Sequence, residues 1–289
     1  MNQRLYFKNS EDSTLFRTGR IYVFLFMAFI LLPVFNGCGT LSNGRIWGQN
    51  ATLTPGWDRI KESAAKAALS PETWVPVAAS LALQVDNMDK RISHWASTRN
   101  PVFGSQKNAQ NWSNYLAYSS VGAYLITVVA TPGGDDTSDW LTSKAKGLTI
   151  GLATGVAAVG STSFLKTIAN RARPNDSSTH THDSFPSGHA SASSAFTNLA
   201  RQNLESISLS PGERLFADIG LVGISAGTGW ARIEAKKHYP SDVLVGYALG
   251  HFLSSFINDA FLGLDNEKGP LLTVEPSRKD IYVGFNWNF

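Results

Sequence analysis

The sequence has little charge for its length, and it has only one cysteine. Cys38 is the single cysteine among 289 residues, which excludes a disulfide within the chain in any compartment. Charged residues make up 16% of the chain and the net charge is +3, so nucleic acid is not an expected partner. The chain shows no internal repeat and no low-complexity block. Its 43% of hydrophobic residues and 11% of aromatic residues exclude extensive disorder.

Long, strongly apolar runs are also scarce. Two uncharged stretches, 108–134 and 147–165, contain many small residues. Either could cross a membrane, where small residues let helices pack closely, or form a central helix of a soluble bundle. The mean hydropathy of the chain is −0.10, and a protein with several spans would be far more apolar. We therefore predict a soluble domain that is tethered to a membrane.

The N-terminus has the organisation of a targeting segment. Arg17 and Arg20 precede Ile21–Phe35, an uncharged run of 15 residues that is short for a membrane span but suits a signal peptide. A small residue then precedes Cys38, which resembles a bacterial lipoprotein processing site with lipid attached to that cysteine. Cleavage nearby without lipid and an uncleaved anchor are the alternatives. We expect a signal peptide over 1–37 and a protein anchored at the periplasmic face of the inner or outer membrane.

The remainder divides into a tether, a helical domain and a tail. Residues 38–55 are rich in Gly, Asn, Thr and Ser and are predicted to be a flexible tether. Residues 56–265 are predicted to form one helical domain, because capping residues and prolines precede several helical stretches. Helices are expected over 58–69, 74–85 (buried), 108–134, 147–165, 186–200, 211–230 and 240–256.

The tail, 266–289, has a different pattern. Residues 271–274 and 281–289 alternate apolar and polar side chains, with a turn predicted over 276–280. A terminal phenylalanine after such alternation also resembles the last strand of an outer-membrane barrel. Two strands cannot close a barrel alone, so we favour a short hairpin packed on the domain.

Three clusters of unusual residues lie between Lys166 and Asp242. Arginine and lysine supply cationic donors that match phosphate oxygens. A helix that begins near Pro186-Ser187-Gly188 would turn free N–H groups towards an anion, and histidines move protons near neutral pH. The clusters contain Lys166, Arg171, Arg173 and Pro174; then Pro186, Ser187, Gly188 and His189; then Arg232, His238 and Asp242.

The spacing of these clusters resembles the three-part signature of the type 2 phosphatidic acid phosphatase superfamily. That superfamily also contains bacterial class A acid phosphatases and vanadium haloperoxidases. All three parts occur in order over 77 of the 289 residues, and Ala231 stands where the pattern usually has serine. The resemblance implies an all-α helical bundle of the acid phosphatase and haloperoxidase type.

The resemblance also implies a reaction and a role for each residue. The reaction is hydrolysis of a phosphate monoester or diphosphate through a phosphohistidine, with no metal and no other cofactor. His238 is the implied nucleophile, Asp242 orients its imidazole, and His189 protonates the leaving oxygen. The implied phosphate-binding residues are Lys166, Arg173, Ser187, Gly188 and Arg232.

Several alternatives stay open at this stage. A haloperoxidase would hold vanadate on His238, although the secretion-type N-terminus favours a phosphatase. A structural protein would be expected to lack an essential position, and none of the eight is replaced. Metal sites at Asp86 and Asp89, or at His180, His182 and Asp183, are less favoured than a solvated helix end and a polar loop. The substrate could be a lipid phosphate beside a membrane, or a soluble nucleotide or sugar phosphate.

Overall fold

The structure is a computed structural model that describes part of the chain. The described residues are 40–41, 46–175, 182–263, 271–276 and 281–286. The predicted signal peptide over 1–37, the predicted lipid attachment at Cys38 and the loop residue His180 lie outside the described residues.

The described part of the chain between residues 46 and 263 folds into eight α-helices, which confirms the all-α prediction. They are α1 (Trp57–Leu69), α2 (Pro71–Ala82), α3 (Met88–Arg99), α4 (Gln106–Ala130), α5 (Thr137–Ala169), α6 (Gly188–Glu205), α7 (Pro211–Glu234) and α8 (Pro240–Ile257). A short 3-10 turn, Val85–Asn87, precedes α3. A π-helical turn, Asn258–Leu262, continues from α8.

Local sequence fixes where several helices begin. The Ser105 hydroxyl accepts a hydrogen bond from the Asn108 N–H at 3.1 Å and caps α4. At α7, Glu213 Oε2 accepts the Ser210 N–H at 2.9 Å, completing the predicted capping box. Proline occupies the first turn of α2, α7 and α8, where its missing N–H has no helical partner to lose.

Helix α6 is the centre of the bundle, because it packs against α4, α5, α7 and α8. Its Leu199 belongs to a buried cluster with Tyr124 and Val128 of α4, Ile150 of α5 and Ile257 of α8. This cluster joins four helices by burying apolar surface, which stabilises the arrangement of the bundle.

The packed domain begins earlier than the predicted tether allows. Trp47 is only 1% exposed and lies in the same core cluster. Its backbone N–H donates to the Pro132 carbonyl at 2.9 Å, and its carbonyl accepts from the Ser143 hydroxyl at 2.7 Å. Residues near Trp47 are therefore part of the domain, because burial of an indole outweighs the polar composition around it.

Helix α2 is not the buried helix that its sequence predicts. Trp74 is 53% exposed and Leu81 is 67% exposed. The face that packs against α8 is partly polar instead, since Thr73 Oγ1 is hydrogen-bonded to His251 Nδ1 at 2.9 Å. The prediction is wrong because a uniformly apolar stretch does not indicate which of its faces is covered.

Helix α5 has an apolar outer face. Among the described helices it is the one whose length and composition would allow it to cross a membrane, with a mean hydropathy of 1.5 over its most apolar window. Only 28% of that window is buried. Leu152 is 71% exposed and Val156 is 64% exposed. The mean hydropathy favours reading 147–165 as the central helix of a soluble bundle. The structure differs, because this stretch is not enclosed by other helices.

Two strands follow the helical part. Leu271–Pro276 and Ile281–Asn286 are antiparallel, with Leu271 opposite Asn286 and Pro276 opposite Ile281. That such a hairpin packs on the helical domain stays a prediction.

Candidate active site

Close contact between α6 and α8 brings the second and third sequence clusters together. A Cβ atom at Gly246 would lie 2.7 Å from the Ser187 carbonyl oxygen, and one at Gly250 would lie 2.2 Å from the Ser191 carbonyl oxygen. Only glycine permits this approach. The Ser187 N–H also donates to the Asp242 carbonyl at 2.9 Å. The start of α6 is thereby fixed against the start of α8.

The three predicted cationic residues come from different elements. Lys166 lies in the last turn of α5, which ends at Asn170 in a left-handed conformation, and Arg173 follows directly. Arg232 lies in the last turn of α7 and is buried. Burial and the charge of Arg173 lower the pKa of Arg232 to about 10, so it stays protonated at neutral pH.

Two of these cations share one carboxylate. Arg173 binds Asp183 in a bidentate manner, with Nε and Nη2 at 2.6 and 2.7 Å from the two carboxylate oxygens. Lys166 Nζ lies 3.8 Å from Asp183 Oδ2. The two positive charges hold the pKa of Asp183 below its usual value, against the effect of burial. An anionic group therefore already occupies the space between Lys166 and Arg173.

Arg232 and Ser187 contribute buried polar atoms that have no hydrogen-bond partner within the described residues. These atoms are Arg232 Nε and Ser187 Oγ. Arg232 does use Nη1, which donates to Ser113 Oγ on α4 at 3.3 Å. Ser187 precedes α6, yet its hydroxyl makes no capping hydrogen bond. Burying polar atoms without partners costs free energy, so this arrangement indicates a ligand that would supply acceptors.

His238 is completely enclosed and held in one orientation. Its Nδ1 lies 2.7 Å from the Ser184 carbonyl oxygen, which can only accept, so Nδ1 carries the proton and Nε2 keeps its lone pair. The carboxylate of Asp242 is farther away, with Oδ2 at 3.8 Å from Nδ1. Burial lowers the pKa of His238 to about 4, with Asp242 opposing and Arg232 reinforcing that change. The ring is neutral at pH 7.

Asp242 makes no direct hydrogen bond to His238 and instead contacts the loop beside it. Its Oδ2 accepts from the Ser184 hydroxyl at 2.6 Å and from the Tyr239 N–H at 2.8 Å. Its Oδ1 accepts from Arg171 Nη1 at 2.6 Å. Asp242 thus fixes the loop whose Ser184 carbonyl binds His238, because it binds the hydroxyl of the same serine.

His189 lies in the first turn of α6 and is partly buried. Its Nε2 is 2.9 Å from Asn114 Oδ1, so Nε2 donates and the lone pair of the neutral ring is on Nδ1. Burial, reinforced by the neighbouring Arg232, His238, Lys166 and Arg173, lowers the pKa of His189 to about 4. Both histidines and all three cations therefore share one electrostatic environment.

Several residues of the site carried no sequence signal for a role. Ser184 supplies the carbonyl that binds His238, Asp183 pairs with two cations, and Asn114 on α4 binds His189. Arg171 lies inside the first cluster but was assigned no partner. Asp89 was predicted to be at a solvated helix end; this is wrong, because Asp89 is buried and bound to Arg171 at 2.6 Å.

Within the described ranges, no three His, Cys, Asp or Glu side chains are grouped so that they could hold a metal ion. Asp86 and Asp89 do not face one site, since Asp86 is exposed and pairs with Arg91. Asp183 pairs with Arg173 rather than with His182. The positive charge at the site comes from side chains of the chain itself.

Residues 146–262 match the family model of the PAP2 superfamily. A search of curated proteins finds no match. Among solved structures, the fold is similar to the crystal structure of a transmembrane PAP2 type phosphatidylglycerolphosphate phosphatase from Bacillus subtilis. The identity is 17% and the TM-score 0.50, over 70% of this chain and 98% of that one. All eight predicted site residues lie in the segment that matches the PAP2 superfamily model, residues 146–262 of the 289.

Proposed function

We propose that this protein is a phosphatase of the PAP2 type that hydrolyses phosphate monoesters or diphosphates through a phosphohistidine. The observation that carries the proposal is the pair of buried, unpartnered atoms, Ser187 Oγ and Arg232 Nε, beside a neutral histidine with a fixed tautomer. Such atoms suit the equatorial oxygens of a phosphoryl group, whose charge increases in the transition state.

The phosphoryl group would be bound by cations and by the start of α6. Lys166 and Arg173 now hold the Asp183 carboxylate, and phosphate oxygens would compete with it for the same donors. A Cβ at Gly188 would meet only Thr162 Cγ2, at 3.4 Å. Packing within the protein therefore does not require glycine at position 188, whereas an anion close to the backbone N–H would.

The chemistry follows from the two tautomers. His238 Nε2 attacks phosphorus while the bond to the leaving oxygen breaks, and His189 donates a proton to that oxygen through Nδ1. A bound phosphate dianion would raise the pKa of His189 and load it with this proton. His189 then removes a proton from water, which attacks phosphorus, breaks the P–N bond and restores His238.

A phosphorylated lipid is the substrate class that we propose. The outer face of α5 is apolar and largely exposed, and Lys166 of the site lies in the last turn of the same helix. Contact of this face with lipid would hold the pocket beside substrates anchored in a membrane. The relative from Bacillus subtilis has phosphatidylglycerol phosphate in its name, which makes this lipid the first to test. Binding through a lipidated Cys38 at the cell envelope stays part of the proposal.

The test is alkaline-quench labelling with a radioactive phosphate ester. Wild-type protein should form an acid-labile, base-stable phosphohistidine, and His238→Ala should form none while its thermal unfolding stays cooperative. Activity should persist in EDTA and be inhibited by vanadate, which imitates the pentacoordinate transition state. Label on His238→Ala, or halide oxidation by the vanadate-loaded protein without phosphatase activity, would refute the proposal.

A further inference from the structure

We infer that Asp89 is a positioning residue for the proposed reaction, acting with Arg171 to fix the loop that holds the nucleophile. This inference rests on the proposed function. Asp89 lies in the first turn of α3, outside the segment that matches the superfamily. Its carboxylate is nonetheless buried beside the start of α8, which is where the third sequence cluster ends.

Arg171 links two buried carboxylates. Its Nη2 donates to Asp89 Oδ2 at 2.6 Å, and its Nη1 donates to Asp242 Oδ1 at the same distance. The guanidinium carbon lies 4.2 Å from the centre of the Tyr239 ring, which adds a cation–π contact. A planar fork with five donors can serve both carboxylates at once, and a lysine ammonium cannot match this geometry.

Asp89 also binds α8 directly. Its Oδ1 accepts from the Ser241 N–H at 2.8 Å, and its Oδ2 accepts from the Ser241 hydroxyl at 2.6 Å. Ser241 lies in the first turn of α8, where helical N–H groups have no partner within the helix. Asp89 therefore supplies an acceptor that α8 lacks, and it ties α3 to the helix that follows His238.

Asp242 is connected to His238, the proposed nucleophile, through hydrogen bonds of a single residue, Ser184. The Ser184 hydroxyl donates to Asp242 Oδ2, and the Ser184 carbonyl accepts from His238 Nδ1. The Ser187 N–H donates to the Asp242 carbonyl. A shift of Asp242 would thus move both the partner of His238 and a predicted phosphate ligand, and small displacements of reacting groups lower rates strongly.

The Asp89–Arg171–Asp242 group suits positioning better than stability alone. Buried ion pairs often contribute little net stability, because desolvation offsets their attraction. Of the two carboxylates, Asp242 interacts with His238 and favours the positive charge that its imidazole gains on attacking phosphorus.

Asp89→Asn tests the inference with p-nitrophenyl phosphate as the substrate. The amide keeps an acceptor for Ser241 but loses the charge and the ion pair with Arg171. We expect kcat and the single-turnover rate of phosphoenzyme formation to fall about 10- to 100-fold, by analogy with other outer-shell partners of active-site ligands. We expect KM to change less than about twofold, because the cationic phosphate-binding side chains of Lys166, Arg173 and Arg232 do not contact Asp89.

Asp86→Asn is the matched control, because Asp86 lies three residues away, is exposed, and pairs only with surface Arg91. It should leave kcat and KM unchanged. Ser241→Ala is the second variant. It removes the hydroxyl contacts and keeps the backbone hydrogen bond to Asp89, so we expect a loss of about three- to tenfold in kcat with cooperative unfolding.

The outcomes separate the inference from the proposed function. If wild-type protein forms no phosphoenzyme, the proposed function fails. If wild type is labelled and Asp89→Asn is labelled at the same rate, or loses activity through KM alone, the positioning role is wrong. If Asp89→Asn does not fold, Ser241→Ala decides: reduced kcat at constant KM supports the role, and unchanged kcat overturns it.

Discussion

Helices α6 and α5 are packed side by side and reverse the usual relation between polarity and burial. Helix α6 is rich in Ser, Thr and Asn, yet Ser191, Ser193 and Thr197 are buried. Helix α5 carries no charge over 147–165, yet only 28% of its apolar window is buried. The difference teaches that the bundle is organised around a polar site, and that the outer face of α5 is suited to an apolar environment.

The polar interior is stable because its groups bind one another. Asn198 Nδ2 donates to the Ser254 and Ser255 hydroxyls of α8 at 2.8 and 2.9 Å. Small residues on both helices leave no bulky side chain between them, so the backbones approach closely. The exposed leucine and valine side chains of α5 gain no comparable stabilising contact in water, where exposed apolar surface is unfavourable.

The largest expected effect concerns Arg232 in the polar interior of the bundle. Arg232→Ala should lower kcat/KM for p-nitrophenyl phosphate by about 10³-fold, because a buried donor to the transition-state charge is lost. Arg232→Lys should recover only part of this, since a lysine cannot reproduce the planar fork. Steady-state kinetics with circular dichroism as a folding control give the answer. Near-normal activity in Arg232→Ala would show that the unpartnered Nε has no role in phosphate binding.

A second prediction compares two glycines, one at the contact between α6 and α8 and one on α5. Gly250→Val should destabilise the fold by about 1–3 kcal/mol or more, because its Cβ would lie 2.2 Å from the Ser191 carbonyl oxygen. Gly160→Val on α5 should cost much less, since a Cβ there meets nothing within 4 Å. Urea unfolding measures both values. Equal losses would contradict the close α6–α8 packing that forms the site.

A third prediction tests the outer face of α5 itself. Replacing Leu152 and Val156 together by serine should weaken binding of a protein that begins at Gly39 to phosphatidylglycerol vesicles by about tenfold, because apolar area in contact with lipid is lost. Hydrolysis of p-nitrophenyl phosphate should be unchanged. Vesicle co-sedimentation measures the binding, with Glu62→Gln on α1 as a surface control. Unchanged sedimentation would mean that this face does not contact lipid.

The last prediction is a pH dependence of stability from the buried histidines. The pKa values of His189, His238 and His251 are each lowered to about 4, mainly by burial. The unfolded chain therefore binds protons at a higher pH than the folded protein does. The free energy of unfolding should be constant above about pH 6.5 and fall as the pH drops from 6.5 towards 4.

Urea unfolding between pH 4 and pH 8 checks this prediction. The exposed His94 is the control, and His94→Gln should leave the slope unchanged. His251→Gln should reduce the slope between pH 4 and pH 6.5, because one of the three buried groups is removed. A flat profile for the wild-type protein would show that these histidines are not held neutral by burial.

Parts of the fold could be predicted from local sequence. The capping box at Ser210 and the prolines at 71, 211 and 240 mark helix starts correctly, because capping depends on neighbouring residues alone. The exposure of Trp74 and the burial of Trp47 could not be predicted in this way. Both depend on which distant helix covers the side chain, and hydrophobic character does not specify that.

The candidate site shows the same division. The resemblance of the three clusters to the superfamily signature was enough to single out Lys166, Arg173, Ser187, Gly188, His189, Arg232, His238 and Asp242, because that signature specifies residue types at fixed spacings. Asp89, Asn114 and Ser184 could not be found, because an aspartate, an asparagine or a backbone carbonyl has no distinctive pattern. Their roles arise only when helices α3 and α4 and the 182–187 segment meet.

The sequence by itself determined the helical class, several helix starts and the set of cationic, histidine and aspartate side chains proposed for the site, because these follow from local geometry and residue type. Only the tertiary structure decided how those groups are used. The Ser184 carbonyl, rather than Asp242, accepts the hydrogen bond from His238 Nδ1, and Arg171 joins Asp242 to Asp89. Hydrogen bonds between residues far apart in the chain form only after the helices pack, and the glycines at 246 and 250 set the distance at which α6 and α8 do so.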